Sequence, residues 1–208
     1  MALFDTIRAG ASGASADYEI DRSLRFNKND SAYLERTPSS DSNRTTMTLS
    51  VWVKRGKLGE MMIMESYRDD ANRTRWMFDA LNRMQMFQRF QNNSHPLIAE
   101  AHRKDNTAWY HLVWSIDTTQ STSSNRVKMY VNGEQQSFIS ESNSQPDQNE
   151  ALFFNKDERH TIGVGQDSAG LEVFFDGYMA EMNFIDGQQL PPSSFAETDA
   201  VTGEYKPI

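Results

Sequence analysis

The segment FFDGYMAEMNFIDG, Phe174 to Gly187, holds two strand-like runs, each closed by an Asp-Gly pair. Both residues of such a pair tolerate the positive φ of tight hairpin turns. Between the pairs, Tyr178, Ala180, Met182 and Phe184 fall on one side at strand spacing, and Met179, Glu181, Asn183 and Ile185 on the other. One face is therefore apolar and its opposite mixed, the pattern of a central strand with one face on a core. The segment reads as architecture rather than as a site.

The same two-residue period recurs along the chain. In MTLSVWVKR (Met47 to Arg55), Met47, Leu49, Val51 and Val53 share one side, and Thr48, Ser50, Trp52 and Lys54 the other. Trp109 to Asp117 carries large residues on both faces, which predicts burial on both sides. Arg126 to Val131 runs into Asn132-Gly133, a type I′ hairpin signal, with Glu134 to Ser140 as the return strand. Tyr18 to Phe26 alternates as a first strand. Met61 to Met64, Trp76 to Asp79 and Met84 to Phe90 read as three more, linked by polar turns at Arg68-Asp69-Asp70 and Asn92-Asn93-Ser94. In His160 to Gly165 the glycines predict close approach of another backbone. Pro191 to Glu197 predicts one helical turn capped by Ser193. About a dozen short strands without a long helix make the chain all-β, at the spacing of a sandwich.

Composition supplies the bulk and excludes several functions. Four Trp, seven Tyr and twelve Phe in 208 residues are enough for a single core. A net charge of −8 argues against nonspecific binding to nucleic acid or anionic membrane. With no cysteine, thiol catalysis, iron–sulfur clusters and zinc fingers are excluded. MALFDTIRAGASGASADYE has neither a basic leader nor a continuous apolar run, so no secretory signal is expected. Residues 1–17 are small and Gly/Ala-rich, which predicts a flexible arm. Leu3, Phe4 and Ile7 within it are suited to anchor it to a neighbouring subunit or to tuck it under the chain's own sheet.

Candidate chemistry is sparse. Glu19 and Asp21 sit at alternate positions, as paired carboxylates of a glucanase would, but Arg22 and Ser23 follow where a third acid is needed. Arg73, Arg75, Arg83, Arg89 and Arg103 gather near Trp76, Phe87 and Phe90. Overall acidity makes this a solvated outer face rather than a nucleic-acid surface, with an exposed Trp76 as an alternative platform for sugar stacking. His111 stands without a Ser or Cys partner to form a triad and reads as structural.

LSVWVKR (49–55), AWYHLVWSID (108–117), VKMYVNGE (127–134), HTIGVG (160–165) and FDGYMAEMNFID (175–186) resemble, in order, the laminin-G-like, concanavalin A-like sandwich modules. YEIDRSLRFNKNDSAYLERTPSS, TTQSTSSNRVKMYVNG and FIDGQQLPPSSFAETDAVTGEYKP extend the resemblance over 18–208, to modules in structural proteins of tailed bacteriophages. That resemblance implies a two-sheet antiparallel jelly roll over 18–208, preceded by the 1–17 arm. It also implies a virion component, in head decoration or in a tail or fibre, assembled in a bacterial cytoplasm. Other virion proteins and copies of the chain itself are the implied partners. The alternative is a receptor module that binds host surface polysaccharide. No catalysis and no cofactor are implied. Where calcium-binding relatives carry an Asp this chain has Ala180 beside Glu181, leaving Asp69, Asp70 and Asp167 as conceivable loop ligands.

Overall fold

The computed structural model describes residues 20, 22–91 and 93–208. The chain runs through β1 (Leu24–Phe26), β2 (Leu34–Arg36), β3 (Thr46–Arg55), β4 (Met61–Asp69), β5 (Asn72–Phe78) and β6 (Arg83–Phe90). It continues through β7 (Asn93–His102), β8 (Trp109–Asp117), β9 (Val127–Val131), β10 (Glu134–Gln135), β11 (Phe138–Asn143) and β12 (Arg159–Ile162). The last strands are β13 (Gly165–Asp167), β14 (Gly170–Glu172), β15 (Gly177–Asp186), β16 (Ala196–Thr198) and β17 (Tyr205–Pro207). Helical structure among the described residues is limited to short 3-10 turns.

Two antiparallel sheets face each other. One has the order β1-β15-β3-β8-β9-β10 and the other β11-β7-β6-β5-β4-β12-β2. Alternation in β3 places Met47, Leu49, Val51 and Val53 on the inner face, where all are fully buried beside Leu112, Trp114 and Ile116 of β8. The facing sheet contributes Met61, Ile63, Trp76, Phe78, Met84 and Met86. Trp76 stacks on Trp114 across the gap at 5.6 Å, and the Phe154 ring lies 4.0 Å from Trp76. This is the expected jelly-roll sandwich.

β15 is a central strand, between β1 and β3, but its two Asp-Gly pairs are not hairpin turns. Gly177 opens the strand and Gly187, at φ 76°, follows it. Its face pattern is also not a single parity. Ala180 pairs with Trp52 and Asn183 with Ser50, so Glu181 and Met182 together oppose Val51 in a β-bulge. Glu181 takes φ 46°, and the bulge exchanges the faces. Met179 before it and Met182 and Phe184 after it pack on the core, whereas Tyr178 is exposed and Ala180 points to the opposite side.

Other local expectations shift for similar reasons. Asn132 and Gly133 form the predicted turn, with φ 48° and 82°. Its return strand is only Glu134–Gln135, because the chain then crosses to the other sheet as β11. The region 56–105 holds four strands rather than three, β7 being masked in sequence by its polar start and Pro96. The glycines after Ile162 do admit close neighbours, but these are side chains: a Cβ on Gly163 would meet the Phe26 ring at 2.5 Å, and one on Gly165 the Met62 methyl at 2.7 Å. The 3-10 turn at Pro192–Ser194 has Pro191 as its cap residue and no side-chain capping bond, so Ser193 does not cap it.

The segment after β15 lies over the outer face of β3 and β8, so that face is buried too. Thr48 Oγ1 donates to Gln188 O at 2.7 Å and accepts from Leu190 N at 2.8 Å. Gln189 Nε2 reaches Ser115 O. Trp52, Ala180 and Ala196 form a second small cluster here, with Ile20, Trp109 and Tyr205 against it. Beneath them His111 is fully buried, with Nε2 2.7 Å from Ser50 Oγ and Nδ1 3.2 Å from the Tyr205 hydroxyl.

Two outcomes follow from this architecture. A Cβ on Gly177 (φ 148°) would stand 2.2 Å from Lys54 O and 2.9 Å from Gly56 N. Gly177→Ala is expected to cost about 3 kcal/mol in urea unfolding, from backbone strain and overpacking together; a loss under about 1 kcal/mol would contradict the described contact. The second outcome concerns pH. Burial pushes His111 down to about 4, below its ordinary 6.5, so the unfolded chain binds the proton more readily. The resulting stability is complete above pH 6.5 and is lost as pH falls toward 4. Between pH 7 and 4.5 the loss from this group is about 2–3 kcal/mol. Burial also lowers His160, so the native chain has an acid-sensitive remainder. In His111→Gln, chemical denaturation at the two pH values should show that difference reduced by the His111 share; an unchanged difference would remove His111 as a source.

Candidate functional site

The sequence-derived candidates are dispersed by the fold. Glu19, Asp21 and the arm 1–17 lie outside the described residues. Trp76 is fully buried in the core, stacked on Trp114, so it offers no platform to a sugar. The strand's own alternation, in unbroken register with β6, puts Thr74, Trp76 and Phe78 on the inner face, all fully buried.

The arginines are spoken for. Arg75 is buried against Glu65, which has no solvent exposure, and also pairs with Glu172 at 2.8 Å. The β13–β14 hairpin covers that pair: Gln166 N donates to Glu65 Oε2, and Arg75 Nη2 donates to Gln166 O, each at 2.5 Å. Arg73 pairs with Asp70 and lies over the Phe87 ring, and Arg83 pairs with Asp79. Arg89 donates to Asp70 O and Arg103 to Gln136 Oε1. The group is not a free basic surface.

Asp69, Asp70 and Asp167 cap turns. Asp69 Oδ1 accepts from Ala71 N and Asn72 Nδ2, and Asp167 Oδ1 from Ala169 N and Gly170 N. Asp70 Oδ1 accepts from Ser168 N and the Tyr67 hydroxyl. Their hydrogen bonds go to the protein's own turns.

The fold instead assembles a polar cleft on the outer face of the β3–β15 pair, at the bulge. It has a volume of about 340 Å³ and is lined by Ser50, Trp52, Glu181, Asn183, Ser194 and Phe195, with Pro207 and Ile208 at its side. Glu181, held at positive φ, lines this cleft and also borders the neighbouring surface beside Met182, and among the described residues its carboxylate has no hydrogen-bond or ion-pair partner. Asn183 is exposed beside it, its Nδ2 donating to Glu181 O at 3.0 Å. A carboxylate residue, an amide, hydroxyls and the half-buried Phe195 thus border one hollow, while Trp52, packed on His111 and Tyr205 and only 6% exposed, backs its wall. Sequence carried no signal for this, since the lining comes from β3, β15 and the 194–208 segment.

Ser50, in the floor, makes with His111 a pair that sequence separation of 61 residues concealed. The pair lacks what activates a serine. His111 is held near pKa 4, too low for a general base at neutral pH, and its second nitrogen faces a phenol rather than a carboxylate that would stabilise the imidazolium. It acts as a clasp between the sheet and Tyr205.

A different surface lies at the open edge between β1 and β2. Leu24, Phe26, Leu34, Ile162, Met179 and Met182 line a mostly apolar groove of about 530 Å³, with Arg22 and Glu181 also on its lining, continued past Leu34 and Ile162 by a hollow of about 400 Å³ that reaches Met64 and Phe184. Leu24 and Leu34 are about half exposed (56% and 47%), so apolar surface is offered to solvent here.

No curated protein matches the sequence. Among solved structures, the LG4-5 domains of the mouse laminin alpha1 chain superpose with a TM-score of 0.55 at 11% identity, covering 86% of this chain and 46% of that one. The Ruminococcus gnavus IT-sialidase CBM40 bound to alpha2,3 sialyllactose gives 0.53 at 11% identity, covering 77% of this chain and 95% of that one. These likenesses concern the fold. The family model described as concanavalin A-like lectin/glucanases superfamily, Laminin_G_3, matches residues 27–191. With the two-sheet jelly roll and its order of strands, this match makes the chain a member of the laminin-G-like branch of the concanavalin A-like lectin/glucanase superfamily.

Proposed function

We propose that this chain is a glycan-binding module and that its ligand occupies the cleft at the β15 bulge. The observation that carries the reading is the unpartnered Glu181 carboxylate, held by strained backbone beside Asn183, Trp52 and Phe195. A carboxylate accepts hydrogen bonds from sugar hydroxyls, an amide both donates and accepts, and the half-buried Phe195 ring offers apolar surface to the sugar. A hollow of about 340 Å³ suits a saccharide terminus rather than a long chain. Binding without catalysis is part of the proposal: the Ser50–His111 pair is not poised for nucleophilic attack.

The setting we infer is a bacteriophage virion, assembled in the bacterial cytoplasm, with this module displayed on the head or tail and held by other virion proteins and by copies of itself. The resemblance of 18–208 to phage modules supports it. So do the apolar residues of the arm and the apolar groove at the β1–β2 edge. The two readings are compatible, since a displayed lectin would bring the particle to host polysaccharide.

The binding reading is tested on an array of bacterial surface glycans that also carries sialyllactose. Saturable binding is expected, with Glu181→Gln weakening it at least about tenfold through loss of a charge-assisted hydrogen bond, and with an unchanged melting temperature. Silence across the array, or full binding by the variant, would refute the cleft as the site. For the virion reading, removal of residues 1–17 should abolish incorporation into particles while the purified remainder still melts cooperatively. Retained incorporation would rule out the arm as the attachment.

A further inference from the structure

We propose that His95, Asp147 and Glu150 form a binding site for one divalent transition-metal ion of the zinc class, joining β7 to the loop after β11. This inference is independent of the glycan reading and concerns a different part of the fold. One ligand atom from each of the three residues lies within 4.8 Å of the others. His95 Nε2 and Glu150 Oε2 are 3.2 Å apart. Two atoms bound to a tetrahedral ion through bonds of about 2.0–2.2 Å stand about 3.3–3.6 Å from each other, so a small inward or outward adjustment seats an ion between them.

The argument for an ion is a deficit of partners. His95 Nε2 and Glu150 Oε1 are each sealed from solvent and without a hydrogen bond, in side chains only 12% and 11% exposed. Leaving a buried polar atom unpaired costs about 1–3 kcal/mol, and native structures avoid it or fill the gap with water or an ion. The other ring nitrogen, Nδ1, is 3.1 Å from Ser144 Oγ. In the tautomer whose Nδ1–H donates to that hydroxyl, Nε2 turns its lone pair toward the Glu150 carboxylate, and two electron-rich atoms face each other. A cation resolves the conflict, and a hydrogen bond at the second ring nitrogen is the usual support of a metal-bound imidazole.

The surroundings are preorganised. Asn149 N donates to Thr118 O and Thr118 Oγ1 to Glu150 O, both at 2.8 Å. Asp147 N donates to Glu150 Oε2 at 2.8 Å, and Arg126 Nη1 to Pro146 O at 2.8 Å. The loop is thereby fixed at the site while Asp147 stays exposed, which leaves a path for the ion. One imidazole with two carboxylates favours zinc and its neighbours over calcium, which prefers oxygen throughout. Three protein ligands leave a fourth position for water or for a donor from a partner molecule. The competing arrangement is a plain imidazolium–carboxylate ion pair.

The two are separated by calorimetric titration of the full chain, stripped with EDTA and dialysed, against zinc chloride and in parallel against calcium chloride. Saturable uptake of one zinc ion per chain is expected, weakened at least about tenfold in both His95→Asn and Glu150→Gln, and accompanied by a rise in melting temperature that the variants lack. Absence of saturable uptake, equal uptake by the variants, or a preference for calcium would overturn the site. Should either variant not fold, cobalt(II) added to the unaltered chain decides: intense visible bands of low coordination support the proposal, and a spectrum identical to that of the free aqueous ion refutes it.

Discussion

The contact of Trp76 with Trp114 is the joint on which the sandwich depends. One indole comes from each sheet, and the 5.6 Å stack fixes how the sheets lie over one another. Both indole N–H groups are buried without a partner, so the packing around them has to exceed that desolvation. Methionine supplies much of that packing, through Met47, Met61, Met84, Met86 and Met129. Flexible thioether chains fit the irregular space around two large rigid rings better than branched residues would. Phe154 and Phe184 complete the aromatic group, so the loop before β12 and the far end of β15 are held by the same joint.

From that joint the outer face of the six-stranded sheet acquires its character. Core packing on one side of β3 places Thr48, Ser50 and Trp52 on the other, and they need cover. The segment after β15 provides it with hydrogen bonds, through Thr48, Ser115 and the His111–Tyr205 contact, and with the packing of Ala196 and Tyr205 against Trp52. The bulge at Glu181 is where the cover and the sheet part, and the cleft opens there.

Legibility in the sequence followed the range of the interaction. β3 could be read residue by residue from its unbroken alternation and β8 from its large residues on both faces, and the two keep a straight register of nine pairs. The turn at Asn132-Gly133 was equally plain, since its backbone demand is local. β15 was recognisable as a strand, but the exchange of its faces depends on one left-handed residue, Glu181, a type that ordinarily avoids that conformation. Trp76 as an exposed platform failed for a local reason: it shares its face of β5 with Phe78, and both are buried. The cleft, the Ser50–His111 pair and the group at His95 each join residues far apart in sequence, and no spacing rule connects them.

The cleft draws its walls from Ser50 and Trp52 on one side and from residues 194–208 on the other, parts of the chain that meet only once β3, β15 and the covering segment are all in place. Recognition at this position is therefore a property of the whole domain and not of a loop. A ligand bound only by the assembled cleft would raise the free energy of every opening that parts the cover from the sheet, and would slow amide exchange in both. Occupancy and global unfolding are linked in such an arrangement, so whatever fills the hollow stabilises residues far from it.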